Sequence, residues 1–103
     1  MSRIDALQKW LTERQDDPLV LHALAIEYAK AGEPEKALQC WTSLREKDRS
    51  YLPVYYPAAE LAMETGQTEL AEEWLAQGIL VAREKGDLKT ERELRSLREI
   101  QDE

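Results

Sequence analysis

The stretch "ALAIEYAKAGEPEKALQCW", residues 23–41, decides how the rest of the chain is read. A second stretch, "AAELAMETGQTELAEEWL", residues 58–75, follows the same plan. Gly32 and Gly66 stand 34 residues apart, as do Leu24 and Ala58, Ala25 and Ala59, Ala37 and Ala71, and Trp41 and Leu75. Each copy runs apolar pair, glycine, alanine, large apolar residue. A fixed period of this length marks stacked helix pairs.

Each repeat reads as two helices. Asp17 suits an N-cap, and Pro18 suits the first helical position. Leu21, Leu24, Ala25 and Tyr28 recur at helical spacing. Gly32 supplies the left-handed residue that ends the first helix. Pro34 opens the second, whose buried stripe is Ala37, Leu38, Trp41 and Leu44. In the second repeat Gly66 ends the first helix, Thr68 is expected to cap the second, and Gly86 closes it. Glu69, Glu72 and Glu73 lie near the start of that helix, where its dipole favours negative charge. Outside the repeats, residues 2–14 place Ile4, Leu7, Trp10 and Leu11 on one side of a helix that Ser2 could cap. Residues 88–101 carry Leu88, Leu94, Leu97 and Ile100. That last helix could instead begin at Thr90, where "TERE" has the form of a capping box. One narrow apolar stripe on a charged helix suits the end of an open stack.

The expected fold is therefore all-α, with about six antiparallel helices in a single domain over 1–103. Residues 2–14 form an N-terminal capping helix, 18–51 the first repeat, 52–86 the second, and 87–101 a C-terminal capping helix. A length of 103 residues allows one domain with a modest core.

These residues resemble the tetratricopeptide repeat family. The match covers residues 18–86, and residues 2–14 resemble the second helix of an incomplete preceding repeat. The family's pattern of large apolar residue, apolar–small pair and aromatic is met by Leu21, Leu24–Ala25 and Tyr28. The second repeat answers with Tyr55, Ala58–Ala59 and Ala62. The alanine and large apolar residue of the second helix are Ala37 with Trp41, and Ala71 with Leu75. The stretch from residue 50 onward is similar to the end unit of short bacterial members. Two departures stand out. Gly78 takes the place of Leu44, which predicts thinner packing there. The 88–101 helix leaves the register, since continuing it would bury Lys89, Arg92, Glu93 and Ser96.

The resemblance implies an α–α superhelix, a solenoid whose first helices line a concave, protein-binding groove. Carried over residue by residue, the groove would be lined by Leu19, His22, Ile26, Ala29 and Lys30, and by Pro53, Tyr56, Glu60, Met63 and Glu64. Helical spacing groups Tyr56, Glu60, Met63 and Glu64 on one face, opposite Tyr55, Ala59 and Ala62. The family's chaperone-type carboxylate clamp is not expected, because His22, Ile26 and Pro57 stand where it uses lysine and asparagines. No lysine or arginine occurs between Arg49 and Arg83, whereas Glu60, Glu64, Glu69, Glu72 and Glu73 do. The expected partner is a protein or peptide segment with basic and apolar side chains.

The expected function is a non-catalytic interaction module or scaffold. The alternative is a self-associating assembly element that uses exposed repeat ends. Trp10, Trp41 and Trp74 read as core or rim packing. Trp74, beside Leu75, is the one expected to be partly exposed, and would then mark a self-association surface. A monomer or weak homodimer is expected. The single histidine, His22, and single cysteine, Cys40, fall on different helices without an orienting group, so no catalytic constellation forms. No metal or cofactor is expected. A net charge of −7 opposes general nucleic-acid binding. No apolar run is long enough for a membrane helix, and the N-terminus does not read as a signal peptide, so the cytoplasm is the expected location.

The segment "SYLPVYYP", residues 50–57, could be taken for a strand or a recognition peptide. The repeat register instead makes it a helix entrance, with Tyr51 in the connection, Tyr55 buried and Tyr56 facing the groove. Pro53 and Pro57 predict a first turn that is irregular or 3₁₀-like, regular after Pro57.

Overall fold

The computed structural model describes residues 2–14 and 17–103. Among them are six α-helices, one 3₁₀ turn and no strand. The chain divides into two compact units, Met1–Tyr51 and Leu52–Glu103.

The first unit holds α1 (Arg3–Glu13), α2 (Pro18–Lys30) and α3 (Pro34–Lys47). Ser2 caps α1 through a capping box with Asp5, and Asp17 caps α2 by accepting from the Leu19 N–H. The turn between α2 and α3 has Gly32 at φ 76°, with the Gly32 N–H donating to the Ala29 carbonyl and the Glu33 N–H to that of Tyr28. This paired bonding satisfies carbonyls that the helix end would orphan. α2 packs against both α1 and α3. Its buried residues Leu21, Leu24, Ala25 and Tyr28 meet the predicted stripe of α3, Ala37, Leu38, Trp41 and Leu44, all buried. Polar bonds hold the α1–α2 contact. The Gln8 amide donates to the Tyr28 hydroxyl (2.6 Å), and Arg3 Nε donates to Glu27 Oε1 (2.9 Å), tying α1 to α2.

The second unit holds the 3₁₀ turn (Leu52–Val54), α4 (Tyr55–Glu64), α5 (Thr68–Lys85) and α6 (Leu88–Asp102). The 3₁₀ entrance is as predicted, but the regular helix starts at Tyr55, ahead of Pro57. Pro57 is the third helical residue, where a backbone N–H would lack an intrahelical acceptor anyway, so the proline costs little. The α4–α5 turn reproduces the first: Gly66 sits at φ 75°, and the Gln67 N–H donates to the Ala62 carbonyl. This short turn puts Gln67, not Thr68, in the cap position. Thr68 is already helical and no side chain caps α5. The start of α6 is also settled locally. Asp87 accepts from both the backbone N–H and the hydroxyl of Thr90, so the helix begins at Leu88 and not at Thr90. Those two bonds hold the Asp87 carboxyl below its usual range.

The core of this unit corrects two expectations. Trp74 is 0% exposed, with its ring edge-on to Tyr55 at 5.6 Å between centroids. It offers no surface for self-association. Gly78, expected to leave thin packing, marks a tight approach. A Cβ there would lie 2.7 Å from Tyr55 Cβ and 2.9 Å from Leu94 Cδ1. The causes are linked. Tyr55 replaces Leu21, and Trp74 replaces Cys40, one period apart. The added volume is accommodated because Gly78 replaces Leu44 and Leu75 replaces Trp41. The core conserves volume by exchanging it between neighbouring positions.

α6 lies on α5 and α4 through Leu94 and Leu97, both buried. Leu88 and Ile100, predicted in the same stripe, are exposed at the two ends of the helix. Lys89, Arg92, Glu93 and Ser96 face solvent, as the broken register required. Arg98 pairs with Glu72 across the α5–α6 contact, and Glu91 with Arg83 and Arg95.

Candidate protein-binding faces

The residues expected to bind a partner fall on α2 in the first unit, and on the 3₁₀ turn and α4 in the second. On α2, Leu19 is 70% exposed, Lys30 is exposed, and His22, Ile26 and Ala29 are half-buried. In the second unit, Pro53 on the 3₁₀ turn is exposed. On α4, Glu60 and Glu64 are exposed, while Tyr56 and Met63 are half-buried. Spacings of three and four residues bring Tyr56, Glu60, Met63 and Glu64 into one stripe. Tyr55 and Tyr56 are thus separated as expected: Tyr55 is fully buried and Tyr56 keeps an accessible surface.

The charge of the α4 face has a physical cost. Glu60 and Glu64 are like charges four residues apart, which destabilises a helix by about 0.2–0.5 kcal/mol. Neither forms an ion pair among the described residues, whereas Glu72 and Glu91 do. All the cations of the second unit lie at Arg83 or beyond.

His22 is more constrained than the sequence suggested. Trp41 Nε1 on α3 donates to His22 Nδ1 at 3.0 Å, and the Tyr51 ring stands edge-on at 6.0 Å. This bond requires a neutral imidazole with its proton on Nε2. Burial also pushes the His22 pKa down from its ordinary value. The folded chain therefore resists protonation that the unfolded chain accepts near pH 6.5. His22 contributes stability fully above about pH 6.5, and that contribution is lost as pH falls through the depressed folded value. Urea unfolding at pH 7.5 and 5.5 should show a larger loss for the native chain than for His22→Gln. Equal losses would mean that Nδ1 is not the acceptor for Trp41.

Cys40 is half-buried, and burial raises its thiol pKa, so it stays protonated and weakly nucleophilic. It lines a cleft of about 450 Å³ in the first unit, over Leu11, Leu21, Leu24 and Tyr28. Among the described residues, no three histidine, cysteine or acidic side chains are grouped to hold a metal ion, and no helix is long and apolar enough to cross a membrane.

A tetratricopeptide repeat domain protein of Salinibacter ruber, solved in solution, is 35% identical to this chain. The match covers 82% of this chain and 86% of that one, with a TM-score of 0.78. This chain belongs to the tetratricopeptide repeat family. A crystal structure of the tetratricopeptide repeat domain protein from Salinibacter ruber agrees, at 35% identity, 84% and 96% coverage and a TM-score of 0.77. The tetratricopeptide domain of Sgt2 from Aspergillus fumigatus shares the fold at 21% identity. That match spans 93% of this chain and 64% of that one, with a TM-score of 0.77. No family model and no curated protein matches the sequence. The tetratricopeptide fold generally mediates protein–protein interaction. In this member, α2 and α4 are the first helices of the two repeats.

Proposed function

We propose that this tetratricopeptide repeat protein is a non-catalytic interaction module. It binds a protein segment carrying basic and apolar side chains against the first-helix faces of its repeats. The observation that carries this reading is the α4 face. Two exposed glutamates, without ion-pair partners among the described residues, alternate there with the accessible parts of Tyr56 and Met63. A cationic side chain from a partner would relieve the repulsion between Glu60 and Glu64 and could lie against the Tyr56 ring. The α2 face of the first unit, taken by itself, presents apolar surface at Leu19 and Ile26 and a positive charge at Lys30.

The test is charge reversal. The chain is immobilised, its partner is identified by mass spectrometry, and affinity is measured for native and Glu60→Lys/Glu64→Lys proteins. The reversal should weaken binding about tenfold or more. A partner that binds both proteins equally would refute the role of the α4 face. The double variant should keep its helical content, because both side chains are exposed.

A further inference from the structure

Among the described residues, the outer flank of α1 is left largely uncovered, with Arg3 reaching Glu27 of α2 at one edge of it. Leu7 is its only fully buried residue, while Trp10 is 51% exposed. Arg3, Ala6, Trp10 and Glu13 recur at steps of three, four and three, the a/d spacing of a two-helix seam. The side chain of Arg3 is 68% exposed, Ala6 is half-buried, and Glu13 is exposed.

The repeat period shows what this face is suited to receive. Residues 34 positions later, Ala37 for Arg3 and Leu44 for Trp10, lie on α3 and are 0% and 1% exposed. On α3 the places of Arg3 and Trp10 are covered, while Cys40 in the place of Ala6 is half-buried and Lys47 in the place of Glu13 is exposed; α1 leaves the tryptophan in the middle open.

We propose that the open flank of α1 pairs with α1 of a second copy of the chain, antiparallel about a two-fold axis. The stripe is self-complementary in this arrangement. With Arg3 opposite Glu13 of the second copy, Ala6 falls opposite Trp10 of the second copy, and both relations recur by symmetry. Each small residue receives a large one, and each cation an anion. The parallel alternative would place Arg3 on Arg3, Trp10 on Trp10 and Glu13 on Glu13. An 11-residue helix is only about 16 Å long, so the contact is below standard interface size and the dimer is weak and concentration-dependent. The surface is distinct from the first-helix faces assigned to partner binding.

Analytical ultracentrifugation of the whole chain from about 10 μM to about 1 mM tests this, over the span where so small an interface would associate. The native mass should rise from 11.9 kDa toward twice that value. Trp10→Ala should raise the dissociation constant about tenfold or more, as loss of a central aromatic anchor does. Arg3→Glu and Glu13→Arg should each abolish the dimer. Mixing these two variants should restore it as a heterodimer, because both cross-pairs then join opposite charges. Circular dichroism controls for folding, which matters for Arg3→Glu because Arg3 also pairs with Glu27. A chain that stays monomeric throughout would overturn the proposal. So would a dissociation constant unchanged by Trp10→Ala, or charge variants that fail to associate on mixing.

Discussion

Trp74→Ala should destabilise the second unit by about 3–5 kcal/mol, the usual cost of truncating a fully buried tryptophan. Trp74 is completely inaccessible and its ring meets that of Tyr55 edge-on, so truncation removes apolar burial and an aromatic pair together. The urea midpoint should fall steeply while light scattering of the folded protein shows no change in oligomeric state. A stable variant with altered self-association would reverse the assignment and return Trp74 to the surface. Trp10→Ala gives the opposite pattern, with little change in stability and a change in association. The two tryptophans can thus be separated in one pair of experiments.

Gly78→Leu restores the residue type found one period earlier at Leu44, and should still destabilise the fold by about 3 kcal/mol or more, at the upper end of overpacking costs. Leu94 Cδ1 could swing away from a new side chain, but Tyr55 Cβ is fixed to its backbone, so α4 and α5 would have to part. Gly78→Ala separates two opposed effects. Helix propensity favours alanine by about 1 kcal/mol, and overpacking costs about 1–3. A modest net loss is expected from chemical denaturation. If Gly78→Leu were as stable as the native chain, the tight contact with Tyr55 would be wrong.

What the sequence revealed was what depends on neighbours along the chain. The period placed both glycine turns, and the local preferences of Asp17, Pro18, Pro34 and Pro53 placed helix starts to within a residue or two. Thr68 misled because threonine is a good cap in isolation. The bond from the Gln67 N–H to the Ala62 carbonyl closes the preceding turn so tightly that residue 68 is already helical. Exposure was harder to read. Trp10 and Leu44 occupy equivalent places one period apart, yet only Leu44 is covered, because exposure depends on which element lies alongside. Trp74 and Gly78 each mislead when read alone. Their meaning appears only when Tyr55, Trp74, Leu75 and Gly78 are compared together with Leu21, Cys40, Trp41 and Leu44. The residues proposed to meet a partner were easier to group, since helical spacing alone puts Tyr56, Glu60, Met63 and Glu64 in one stripe. The bond from Trp41 to His22 was not legible, because it joins two helices through a side-chain donor that the pattern treats as core.

The central claim, that the first-helix faces take a basic and apolar protein segment, can be tested without knowing the partner. Random peptides displayed on phage are selected on the native chain, and the selected sequences are measured by calorimetry against native and Glu60→Lys/Glu64→Lys proteins. Selected peptides should be enriched in lysine or arginine together with large apolar residues, and should lose about tenfold or more in affinity to the double variant. Peptides that are neutral or acidic, or that bind both proteins alike, would contradict it.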